Sequence, residues 1–169
     1  YEISLGLVGS EMCIRDSLDS PEAKLDQTGT YRAIDEMQRF LDYFPNSERA
    51  KQAQDIIFEL QDKLVYKELL NAQLYYNLGN YMGNNYQSAI ITAQNALKEY
   101  PYTRYKETLS MLILKSKYQE AVQSIEEKKP ERFRDVIDEY YSFINDYPSG
   151  EYSKEAENIF KVANKYVKD

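Results

Sequence analysis

The stretch IITAQNALKEYP, residues 90–101, decides the fold. Ile90, Ala93, Ala96 and Leu97 recur three and four residues apart, which lines them along one face of a helix. Pro101 then bars Tyr100 from continuing that helix. The pattern occurs twice more, from Ile34 to Phe44-Pro45 and from Ile137 to Tyr147-Pro148. Counted back from the prolines, the eighth residue is Met37, Ala93 or Tyr140, the fifth is Phe40, Ala96 or Phe143, and the fourth is Leu41, Leu97 or Ile144. Three helices with stripes in one register are expected to stop at one point, set by Pro45, Pro101 and Pro148.

The pattern continues past each proline. Ala53, Leu109 and Ala156 share one offset, Ile56, Leu112 and Ile159 the next, and Ile57, Ile113 and Phe160 the third. The repeat therefore covers two helices, and a helix-stop-helix unit of this kind signals an all-α, tetratricopeptide-like solenoid of antiparallel helix pairs.

The first helix is expected over Tyr31–Phe44, with Thr28 or Thr30 as its cap, and the next from Glu48, with Asn46 or Ser47 capping it. Ala53, Ile56, Ile57, Leu60 and Leu64 share a face of that second helix. The prolines are unevenly spaced, and the extra residues fall between Lys63 and Asn85, where a further helix is expected to end at Gly83-Asn84-Asn85. Here Leu78-Gly79, Tyr86, Ala89, Ala96 and Pro101 match the tetratricopeptide pattern, with Gly79 about two residues nearer Tyr86 than the standard repeat has it. Gly79 and Ala89 read as small residues at a close helix crossing. Pro130 suits the first position of a helix, and the last helix is expected to run to about Val167.

Composition narrows the function. The chain has 169 residues with net charge −7 and no histidine. An acidic chain lacks the basic surface that nucleic acid needs and has no electrostatic attraction to an anionic membrane. Without histidine, the commonest general base and metal ligand are gone. The single cysteine, Cys13, makes neither an internal disulfide nor a zinc site. No cofactor is expected. Seventeen tyrosines stand out, and about two-thirds are expected to pack between helices.

Tyr1 to Ser17, YEISLGLVGSEMCIRDS, fits nothing downstream. It has no basic start, too short an apolar stretch for a leader, and Glu11-Met12 where small residues should precede a lipidated Cys13. Residues 1–17 are read as an adapter-derived, non-native segment, and 18–169 as a repeat domain lacking its N-terminal repeats.

An acid/base pair could be drawn from Asp135, Asp138 and Glu139, but Lys129, Arg132 and Arg134 at helical spacing make ordinary solvated pairs the better reading. The chain is read as not an enzyme. Tyr100-Pro101-Tyr102-Thr103-Arg104-Tyr105 places three tyrosines and an arginine about one turn, and Tyr and Arg anchor protein interfaces. Tyr102, Arg104 and Tyr105, with Arg132 and Arg134, are the candidate partner-binding residues. Gly79, Tyr86, Ala89, Ala96, Pro45, Pro101 and Pro148 define the repeat.

Longer words in the chain, LDQTGTYRAIDEMQRFLDYFPNS, AKQAQDIIFELQDKL, LYYNLGNYMGNNYQSAIITAQNALKEYPYTRY and VIDEYYSFINDYPSGEYSKEAENIFK, resemble the BamD family of tetratricopeptide lipoproteins, in its Bacteroidetes-type form and its C-terminal part. The resemblance implies a scaffold of the outer-membrane β-barrel assembly machinery, held at the periplasmic face of the outer membrane by a lipidated cysteine. Its implied partners are the periplasmic domains of the barrel insertase, other assembly subunits and unfolded outer-membrane proteins. Cys13 lacks the context to inherit the anchoring role. The alternative is a generic tetratricopeptide adaptor of the envelope or cytoplasm.

Overall fold

The computed structural model describes residues 22–167, so the segment 1–17 with its Cys13 lies outside the described residues. Those residues are all-helical: α1 (Thr28–Tyr43), α2 (Ala50–Leu78), α3 (Asn85–Glu99), α4 (Lys106–Val122), α5 (Lys129–Asp146) and α6 (Ser153–Val167), with a 3-10 turn at Glu126–Lys128. Pro130 falls in the first turn of α5, where its missing N–H removes no helical hydrogen bond.

The three aromatic-proline pairs end their helices alike. Phe44, Tyr100 and Tyr147 leave helical geometry at φ −132, −126 and −131, and each N–H still donates to the carbonyl four residues back. The following proline excludes the α conformation for the aromatic, so the helix stops there. Each turn then closes identically, with Ser47, Thr103 and Gly150 donating N–H to the aromatic's carbonyl and their own carbonyls accepting from Ala50, Lys106 and Ser153.

The buried stripe keeps two of the expected positions and exchanges the others. The most buried positions are Thr30, Tyr86 and Phe133, then Ala33, Ala89 and Val136, then Met37 and Ala93, then Ala96 and Phe143. Ile34, Ile137, Leu41, Leu97 and Ile144 flank that stripe half-buried, while Ile90 is buried. Alanine, threonine and tyrosine carry much of the buried seam, which hides it from a count of aliphatic side chains.

Further expectations are corrected. α1 begins at Thr28 with Gln27 as its cap residue, so neither threonine caps it. Thr30 instead donates its hydroxyl to the buried Gln27 side chain at 2.8 Å, and Asp26 accepts from Thr28 N–H and Oγ1. Those bonds to Thr28 hold the Asp26 carboxyl below its ordinary value. Nor does a further helix begin after Lys63: α2 runs unbroken for 29 residues to Leu78, because no glycine or proline interrupts it before Gly79, and it ends short of the expected Gly83-Asn84-Asn85. Gly79 is the terminator, at φ +55, and it also lies where Tyr86 of the next helix comes close. Of the sixteen described tyrosines, eight are exposed, and two of these, Tyr141 and Tyr166, still pack on rings of the neighbouring helix.

The chain divides into two compact units, residues 1–67 and 68–169, with the boundary inside α2. In the first, Met37 of α1 packs on Ala53 and Ile57 of α2, flanked by Ile34, Phe40, Leu41 and Ile56. In the second, α4 is the central element and packs on α3, α5 and α6. Accordingly it is apolar on several sides, burying Leu109, Met111, Leu112, Ile113 and Leu114. Phe133, Val136 and Phe143 of α5 meet Ala156, Ile159 and Ala163 of α6 in the same core. Phe133 stacks on Tyr166 at 4.2 Å and Tyr140 on Phe160 at 4.5 Å, pairings that fix α5 and α6 as antiparallel.

Candidate functional site

The α3–α4 turn presents the Tyr/Arg cluster. Tyr102 is 89% exposed. Arg104 is exposed beside it, whereas Tyr100 and Tyr105 are half-buried. Tyr105 donates its N–H to Thr103 Oγ1 at 3.3 Å, which starts α4. The division follows the repeat: Tyr100 and Tyr105 occupy turn positions that recur in the other units, and Tyr102 and Arg104 between them face water.

Arg132 and Arg134 lie elsewhere. Arg132 meets Glu120 near the other end of α4, at 3.4 Å, and also donates to the Glu120 carbonyl and Ser124 Oγ. Lys106 to Glu120 spans ~21 Å of helix at the ordinary rise per residue. The five candidate residues therefore form two surfaces at opposite ends of α4, not one. Arg132 is occupied by a three-point anchor between α4 and α5, while Arg134 is exposed.

Between these ends, α3 and α5 flank a groove floored by α4. A cavity of about 250 Å³ is lined by Gln87 and Gln94 of α3, Lys117 and Glu120 of α4, and Arg132 and Asp135 of α5. Glu139 is not a member of a local solvated pair, as the spacing suggested. It reaches across to Lys117 at 2.6 Å, and Lys129 pairs with Glu126 in place of the α5 carboxylates. Helical proximity suggested the wrong partners because the neighbouring helix supplies closer ones. Among the described residues no group of three or more carboxylates, histidines or cysteines could hold a metal ion.

A polar clamp that sequence reasoning missed closes the Arg132 end. Asn84 caps α3 by accepting from Gln87 N–H and donates Nδ2 to Glu120 at 2.7 Å. Asn80 donates to Gln123 Oε1, and Gln123 Nε2 donates to the Tyr86 hydroxyl at 2.8 Å. The same hydroxyl lies 2.8 Å from where a Cβ on Gly79 would stand, so Gly79 serves both the left-handed turn and the seat of Tyr86. Tyr76 packs edge-on against Tyr86, and burial lifts its phenol above the ordinary 10.0, with Tyr86 and Glu155 acting in the same direction and Lys115 opposing them. The one signal in the sequence was the density of asparagines about Gly79 and Gly83.

A family model described as YfiO, outer membrane lipoprotein, matches residues 8–115. The match takes in the first helix-stop-helix unit and the second as far as residue 115 within α4, begins inside the segment 1–17, and leaves the third unit outside it. No curated protein matches the chain.

Proposed function

The chain belongs to the YfiO family of outer membrane lipoproteins, and from that membership we propose that it is a non-catalytic scaffold in outer-membrane β-barrel assembly. In this reading it docks the periplasmic domains of the barrel insertase and works beside unfolded outer-membrane proteins. In this reading the protein sits at the periplasmic face of the outer membrane. The observation that carries the reading is the α3–α4 turn, where Tyr102 and Arg104 stand out from a rigid helix pair whose flanking Tyr100 and Tyr105 are held inward.

An exposed ring beside a guanidinium on a fixed turn is a compact anchor for a protein partner, since the ring buries large area at low entropic cost and the guanidinium forks onto a carboxylate. Arg134 adds a second exposed cation near the other end of α4. Arg132 supports that surface by holding α5 to α4. The family's membrane location favours this reading over a cytoplasmic adaptor.

The test is a titration of the chain with the purified insertase domains, wild type against Arg104→Glu. The reversed charge should weaken binding by roughly tenfold with the melting curve unchanged. Equal affinity would remove the α3–α4 turn from the interface.

A further inference from the structure

The chain has four methionines. Met12 lies outside the described residues, and Met37 and Met111 sit in the cores at 1% and 2% exposure. Met82, on the α2–α3 turn, is 91% exposed. Its backbone lies in the left-handed region at φ +56, which asparagine or glycine adopts with less strain. A side chain so exposed buries almost no area, so packing does not call for methionine there.

The turn around it is nonetheless fixed. Asn85 N–H donates to the Gly79 carbonyl at 3.0 Å and to the Gly83 carbonyl at 3.2 Å. Its Nδ2 donates to the Tyr81 carbonyl at 2.7 Å, so one residue holds the backbone on both sides of Met82. A thioether in water on a held backbone can react without any opening of the fold. The core methionines cannot. Met37 packs on Ala53 and Ile57, and Met111 shares a core with Leu114 and Phe133, so a reagent reaches them only when those cores open.

We propose that Met82 is a site of reversible oxidation whose substrate is a small peroxide. A lone pair of the thioether sulfur attacks one oxygen of hydrogen peroxide and forms the S–O bond as the O–O bond breaks. The proton left on the transferred oxygen passes to the departing hydroxide, giving sulfoxide and water. Sulfur loses two electrons and the peroxide gains them. A dithiol methionine sulfoxide reductase reverses the step: its two thiols supply two electrons and two protons, the oxygen leaves as water, and a disulfide forms on the reductase. The sulfoxide exchanges an apolar side chain for a hydrogen-bond acceptor beside the exposed Leu78 and Tyr81. The turn thus has an apolar and a polar form, and neither disturbs a core. The location that the family implies, outside the thiol-reducing cytosol, exposes the turn to such oxidants, and the inference rests on the family reading only for that. The chemistry needs neither the α3–α4 turn nor a partner, so either proposal can fail alone.

The probe is dilute hydrogen peroxide on the folded 169-residue chain, with each methionine scored by mass after digestion. Sulfoxide should form at Met82 at least roughly tenfold faster than at Met37 and Met111, with the melting curve unchanged, and the three rates should converge in denaturant. Methionine sulfoxide reductase with a dithiol should return Met82 to the thioether while the chain stays folded. The oxidised chain should leave a hydrophobic-interaction column earlier, a shift that Met82→Leu removes. Comparable rates at Met82 and the two core methionines would overturn the proposal. So would a lowered melting temperature on Met82 oxidation, a sulfoxide that the reductase leaves in place, or an elution shift that is absent or persists in Met82→Leu.

Discussion

The sharpest test of the repeat concerns one hydrogen bond that is made differently in the third unit. In the first two turns, the N–H two residues past the closing residue donates to its hydroxyl: Arg49 N–H to Ser47 Oγ and Tyr105 N–H to Thr103 Oγ1, each at 3.3 Å. The equivalent residue in the third turn is Gly150, which has no hydroxyl. There Tyr152 N–H donates to Glu107 Oε1 at 3.2 Å, from the first turn of α4. A Cβ on Gly150 would collide with that carboxylate, so glycine is needed where the glutamate substitutes for the missing hydroxyl.

Glu107→Ala should therefore remove a cap at the start of α6 and cost about 1 kcal/mol. For a chain of this size that lowers the melting temperature by roughly 2–4 °C. Gly150→Ser should also destabilise while Glu107 is present, because two groups then compete for one site. Introduced together with Glu107→Ala it should restore the hydroxyl cap of the other turns and return stability to within ~0.5 kcal/mol of wild type, the limit of ordinary additivity. Thermal and denaturant unfolding of the four proteins measure the cycle. A double variant no more stable than Glu107→Ala alone would refute the equivalence of the three turns.

Other outcomes follow from the same structure. Gly79→Ala places a side chain at φ +55 against the Tyr86 hydroxyl and should cost about 2–3 kcal/mol in denaturant unfolding, from left-handed strain plus loss of the Gln123 bond. Ala89→Trp, at a fully buried seam position, should overpack the α3–α4 contact and lower stability by about 1–3 kcal/mol, whereas an unchanged melting temperature would show that the seam yields. For Tyr76 the folded phenol titrates above 10.0, the value taken for an unperturbed tyrosine. Above that pH the folded state holds the proton longer than the unfolded one, so stability present below pH 10 should fall as pH rises through the folded pKa. Tyr76→Phe should flatten that alkaline decline in pH-dependent unfolding.

The fold was legible because its punctuation is chemical. Proline disfavours α geometry for the residue before it, so Phe44, Tyr100 and Tyr147 could be read as helix ends without knowing what they pack against, although Lys129 adopts that geometry at the start of α5. The eighth and fifth positions before each proline were legible, whereas Thr30, Ala33 and Ala89 were missed because they bury as deeply as isoleucine while adding little hydrophobicity. Gly79 was recognised for half of its role: the close approach of Tyr86 was legible, but a repeat pattern does not record that the glycine's φ is positive. The candidate site was half legible. Tyr102 and Arg104 face water as their turn suggested, but Arg132 lies ~21 Å along α4 from them, a separation set by helix length and invisible to spacing. Ion pairs were the least legible feature, since Glu139 chooses Lys117 from the next helix over the basic residues of its own.

The central claim is that this chain docks an insertase of the outer membrane through a rigid helix-pair turn. Calorimetric titration of the 169-residue chain with purified insertase periplasmic domains tests it most directly. Saturable binding, weakened roughly tenfold by Arg104→Glu, is the predicted result. A folded chain that shows no heat of binding at any ratio would contradict the account.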